Sequence, residues 1–89
     1  MDYLIHTSSQ LAQALRARRK SLGSNQTDAG DRAGLSQNTV SKLELNPTPS
    51  TIDSLLRLIS ALDLELVLRP RQNSEPRPSR PAVYEEPEW

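Results

Sequence analysis

Glycine and proline divide the first 70 residues into pieces that suit only short helices and one short strand. Gly23 closes a first piece, Gly34 a second, the turn "NPTPS" (46–50) a third, and Pro70 the last. Each helical piece opens on a side chain able to accept from first-turn N–H groups: Thr7 or Ser8, Asn25 or Ser24, Ser36, and Ser50. The punctuation therefore predicts helices over 7–22, 26–33, from 37 to 43 or 44, and from the turn to about 62. Leu11, Leu15 and Leu22 share one face of the first helix. The second has only Ala29 and Ala33 as its apolar face, and Gly30 costs it about 1 kcal/mol relative to Ala, so its neighbours must come close. In the fourth, Ile52, Leu55, Leu56, Ile59 and Leu62 form a stripe, and Ser50 with Asp53 resembles a capping box with Asp for Glu.

The period changes at "LELVLR" (64–69), where Leu64, Leu66 and Leu68 alternate with Glu65, Val67 and Arg69. That is a strand pattern. A lone strand leaves a row of unpaired backbone groups, so pairing with the same strand of a second copy is expected, giving a two-fold homodimer. The alternative is that the fourth helix continues to residue 68. Residues 71–89 hold four of the chain's seven prolines and too little apolar matter for a core. The expected organisation is one domain over 1–70 and a disordered Pro/Glu-rich tail over 71–89 that ends in Trp89.

Composition removes several classes of function. With no cysteine there is no disulfide framework and no thiolate chemistry. His6 is the single histidine and has no paired carboxylates beside it, so neither a metal site nor a serine nucleophile with its base is expected. The chain reads as a non-enzyme with no cofactor. No apolar run reaches the roughly 18 residues of a membrane span and no leader is evident, so a cytoplasmic protein is expected. The 89 residues carry 11 basic and 11 acidic side chains. Zero net charge argues against a nucleic-acid partner only if charge is evenly spread. Residues 1–71 hold nine Lys or Arg against seven acids, and the remainder two against four.

"GLSQNTVSKLE" (34–44) is the informative stretch. Val40 and Leu43 point to one side of a helix that starts at Gln37, while positions 37, 38, 41 and 42 lie on or near the other. A core helix would not carry so many amides and hydroxyls, and a plainly solvated one would carry more Glu and Lys. Two short helices joined by a glycine-containing turn, the second capped by serine, make a helix-turn-helix. A helix fits the major groove of DNA, where Gln and Asn pair with adenine, Ser and Thr bond base edges or phosphate, and Lys meets phosphate or guanine. Ser36, Gln37, Asn38, Thr39, Ser41 and Lys42 are the expected contacts. "RARRK" (16–20) is either a solvated face of the first helix or a row of phosphate contacts; in the second reading Arg19 neutralises a phosphate.

"NQTDAGDRAGLSQNTVSKLELNP" resembles the Cro/C1-type (Xre-like) helix-turn-helix, with Gln26, Gly34, Leu35, Ser36, Val40, Ser41 and Glu44 on pattern. Ser24, Ala29 and Gly30 stand where that family prefers Leu, Leu and Ala, and Arg18 where an apolar residue is common. The resemblance implies a mainly α fold: a four- to five-helix lambda-repressor-like domain with a short C-terminal β-strand pairing across a dimer. It implies that Gln26 contacts phosphate. The layout of a short strand after the last helix and a tail ending in Trp is similar to the HipB antitoxins. That resemblance implies autorepression at double-stranded operator DNA, a HipA-type Ser/Thr kinase toxin as partner, and Trp89 as an anchor on it. A stand-alone repressor, or an interaction module that has lost DNA binding, are the alternatives.

Overall fold

A computed structural model describes residues 2–71. Four helices follow one another: α1 (Ser8–Ser21), α2 (Gln26–Ala33), α3 (Gln37–Leu45) and α4 (Ile52–Ala61). The caps explain the boundaries. Thr7 and Gln10 form a full capping box at α1: the Thr7 hydroxyl accepts from the Gln10 N–H, and the Gln10 side chain accepts from the Thr7 N–H. Asn25 accepts from the Asp28 N–H at α2, and Ser36 from the Thr39 N–H at α3. Gly34 ends α2 in the left-handed region at φ 72°, so the chain reverses there without a Cβ clash.

The cap of α4 differs from expectation. Thr51, not Ser50, accepts from the first turn, through the Ser54 N–H. The Ser50 hydroxyl instead donates to the Pro47 carbonyl and its N–H closes the same turn, so Ser50 belongs to the bend. At the other end α4 stops at Ala61, and Asp63 has φ 56°, which ends the continuation to residue 68. Residues 64–71 form neither helix nor strand within the single chain. The strand expected over 64–69 is one that needs a second copy to pair with. The expected tail and Trp89 lie outside the described residues.

The core is aliphatic. Leu15, Val40, Leu43, Leu58 and Leu62 are essentially sealed, joined by Ala29 and Ile59, with Leu11, Leu35, Leu55 and Leu64 at its margin. Each sealed leucine contributes about 1.5–3 kcal/mol relative to an exposed one. Leu58, outside the anticipated stripe, is at its centre, while Ile52 is 69 % exposed and Leu56 41 %. The buried face of α4 is thus Leu55, Leu58, Ile59 and Leu62, turned by about half a residue step from the anticipated one. α2 packs against both α3 and α4, and α1 against α3. α1 is also tied to the end of α4 by Arg18, whose Nε donates to the Leu62 carbonyl at 2.9 Å. That bond gives Arg18 a structural role: it satisfies a carbonyl the helix end leaves open.

Candidate nucleic-acid interface

α3 is sorted by side-chain chemistry. Val40 and Leu43 are fully buried, Gln37, Asn38 and Lys42 are exposed, and Thr39 and Ser41 lie between. At about 100° per residue the exposed side chains form one ridge and the aliphatic ones its underside. Ser36 stands at the N-terminal end of the ridge, where its hydroxyl both caps α3 and bonds the Thr39 hydroxyl at 2.9 Å. Thr39 is therefore turned toward the cap and away from the middle of the ridge.

The turn before α3 is unusually tight. The Leu35 N–H donates to the Gly30 carbonyl at 2.8 Å, and a Cβ on Gly30 would sit 2.6 Å from the Leu35 oxygen. Here the missing side chain is what lets α2 and the start of α3 touch.

Beneath the ridge lies a polar joint. Arg19 is buried and does not face solvent. Its Nε and Nη2 donate to the two carboxylate oxygens of Glu44 at 2.6 and 2.9 Å, and Nη1 donates to the Ser24 carbonyl at 2.9 Å. The bonds from Glu44 hold the guanidinium above its ordinary pKa, against the burial that lowers it. Arg19 as a phosphate contact is thereby corrected: its charge is neutralised inside the domain, and the fork geometry leaves it no reach toward a backbone. The other cations of the run, Arg16 and Lys20, are exposed, and Arg18 is half-buried at the α4 end.

In the sequence Glu44 is marked only by its match to a family pattern, yet it is 3 % exposed and connects three elements. Its Oε1 also accepts from Gln26 Nε2 at 3.2 Å, and Gln26 Oε1 accepts from Gln37 Nε2 at 2.6 Å. A continuous set of hydrogen bonds thus runs Arg19–Glu44–Gln26–Gln37, from the interior to the first residue of the ridge. The sequence carried a signal for it: Glu44 is seven residues after Gln37, nearly the same azimuth on a helix, and four after buried Val40. Likewise Arg19 is four residues after Leu15 on the inner face of α1. Of the anticipated contacts, the structure brings Gln26, Ser36 and Gln37 together at one end of the ridge and leaves Asn38 and Lys42 exposed along it. Among the described residues no three His, Cys, Asp or Glu side chains converge as a metal site would need, and no helix is long and apolar enough to cross a membrane.

The helix-turn-helix family HTH_3 matches residues 15–68. The chain is 29 % identical over 72 residues to the antitoxin HipB of Escherichia coli, covering 81 % of this chain and 82 % of that one. Among solved structures it resembles a HipB variant in complex with an O2 20mer, at 27 % identity and a TM-score of 0.74 over 79 % of this chain and 97 % of the other. It also resembles HipB in a HipA–HipB–O2–O3 complex, at 28 % identity and a TM-score of 0.72 over 75 % and 94 %. The chain belongs to the helix-turn-helix family and is HipB-like in both sequence and fold.

Proposed function

We propose that the protein is a sequence-specific DNA-binding antitoxin and autorepressor that acts as a homodimer and neutralises a HipA-type Ser/Thr kinase. The observation that carries the DNA-binding half is the sorting of α3: an exposed ridge of amides, hydroxyls and one lysine over a sealed aliphatic underside. Gln37, Asn38 and Ser41 read base edges in the major groove, while Ser36, Gln26 and Lys42 engage phosphates. Thr39 supports the Ser36 cap at the edge of that contact. In a two-fold dimer the ridges enter successive major grooves about 34 Å apart and read a palindrome.

The kinase partner rests on the likeness to HipB in a complex that also contains HipA. Trp89, at the end of a Pro- and Glu-rich segment, supplies an aromatic anchor for it. Under this reading residues 1–70 bind DNA and dimerise, and residues 71–89 serve the partner.

A gel shift with the DNA upstream of the protein's own reading frame tests the first half. Retardation of that duplex over random competitor at moderate salt is expected. Gln37→Ala should lose about 1–3 kcal/mol of discrimination, confined to one base position. Equal binding to all duplexes would overturn the reading. A pull-down of a kinase encoded beside it, with the full chain and with a chain ending at residue 71, tests the second. Capture that needs the tail supports it, and no capture favours a stand-alone repressor.

A further inference from the structure

The outward crest of α3 ends in a leucine. Within the piece expected to be helical, 37 to 43 or 44, the aliphatic residues all lie on the buried side. The helix runs past that end, and the residue it adds, Leu45, is 73 % exposed. We infer that Leu45 lies against aliphatic C–H surface of the bound duplex: a thymine 5-methyl group in the major groove, or a deoxyribose at its wall. The inference rests on α3 as the DNA-reading helix and adds an apolar contact that the amides and hydroxyls do not supply.

Helix geometry sets the direction of the side chain. The Asn46 N–H donates to the Lys42 carbonyl at 2.8 Å, so Leu45 belongs to the last regular turn. At about 100° per residue, the sealed side chains Val40, Leu43 and Glu44 centre roughly 290° around the axis from Gln37, which puts the outward direction at roughly 110°. Asn38 is within about 10° of that direction, and Lys42 and Leu45 lie about 30° to either side of it. Leu45 therefore shares the crest with Asn38, about 10 Å further along the axis. A helix that lays Asn38 and Lys42 on a duplex brings Leu45 with them.

An isolated exposed leucine is common on protein surfaces. This one differs in its neighbours, which carry the polar chemistry of the ridge. Once the ridge enters a groove, Leu45 loses water, and only an apolar surface makes that loss favourable. Thymine methyl groups supply such a surface among the base edges. Lys42 is the one cation in α3, so release of counterions at this helix is small and an apolar contribution weighs more.

The test uses the full chain and a duplex that it selects from a randomised library. Leu45→Ala and Leu45→Asn should bind that duplex about tenfold or more weakly, the order that burial of a leucine supplies. Their urea unfolding should match the wild type, as at other exposed sites. The dependence of log affinity on log salt should keep its slope, because no phosphate contact is lost. Wild-type affinity in both variants would overturn the inference. So would a changed slope, which would mean that the substitution had displaced Lys42 or another phosphate contact. A changed mass of the free protein in sedimentation would assign Leu45 to contact between copies, and would overturn it equally.

Deoxyuridine separates the two surfaces. It replaces each thymine of the selected duplex in turn and removes only the methyl group. If Leu45 meets a methyl group, one replacement costs the wild-type chain about fourfold, and Leu45→Ala shows no such cost at that position. If no replacement depends on Leu45 while the loss of affinity in Leu45→Ala persists, the deoxyribose is the surface. If the wild-type chain prefers no duplex over random sequence, the DNA reading falls and the Leu45 contact with it. That result stands apart from the others, all of which need a selected duplex.

Discussion

α2 and α4 lie on opposite terms with the same core. α4 is held by volume: Leu58, Ile59 and Leu62 fill the interior, and Leu55 closes its edge. α2 has no large apolar side chain. It is held by closeness, with Ala29, Gly30 and Ala33 letting its backbone approach α3 and α4, and by the polar joint under its first residue. One helix resists loss of atoms, and the other resists their addition. The difference follows from position, because α2 and the start of α3 must stay tightly coupled for the ridge to have a fixed attitude.

The largest effect is expected where the tight region depends on charge. Glu44→Ala leaves the Arg19 guanidinium buried without its counter-ion and should cost about 3–5 kcal/mol in urea unfolding. Replacing both partners, Arg19→Met with Glu44→Leu, should restore most of that stability, since a buried pair often does little better than apolar groups of its size. If the single and double variants were equally unstable, the joint would be contributing specific packing rather than neutralising a charge. Next comes the volume side of the comparison. Leu58→Ala should lose about 2–5 kcal/mol, read as a fall in the urea midpoint with an unchanged slope. A loss below that range would mean the core closes over the gap and α4 is not held by volume.

These two sites also show what the sequence disclosed. Helix boundaries were legible because caps are local: Thr7, Asn25 and Ser36 each act on an N–H three residues away, and Gly34 on its own φ. The polar ridge of α3 was legible because only one side of that helix carried aliphatic residues. The face of α4 was not, because Ile52 and Leu56 extend the apolar arc on one side as far as Leu58 does on the other. Only packing against α2 decides between them, and that is not a local property. Arg19 was hidden in a different way. Among four cations in "RARRK", composition says that charge is present, and only the azimuth shared with Leu15 says that one of them turns inward.

Closeness is tested at Gly30. Substitution by alanine gains about 1 kcal/mol of helix propensity but places a methyl group against the Leu35 carbonyl, an overpacking that costs about 1–3 kcal/mol. A net loss is expected, smaller than that of Leu58→Ala, and with it a weakening of DNA binding beyond the loss of folded protein, because the displaced group is the backbone that leads into α3. A stabilised variant would show that the turn yields, and α2 would then resemble an ordinary surface helix.

The smallest effect sharpens the comparison from the other side. Ile52 starts α4 and has the residue type of a core position, yet it is 69 % exposed. Ile52→Ser, measured at a protein concentration low enough to hold the chain as a monomer, should leave unfolding stability within about 0.5 kcal/mol, as other exposed sites do. The same change at Leu58, six residues on, would place a hydroxyl in a sealed aliphatic site and cost several times as much. Should Ile52→Ser instead prove costly in the monomer, the buried arc of α4 would extend through Ile52 and Leu56, and the volume that holds this helix would be distributed along its whole length rather than concentrated around Leu58.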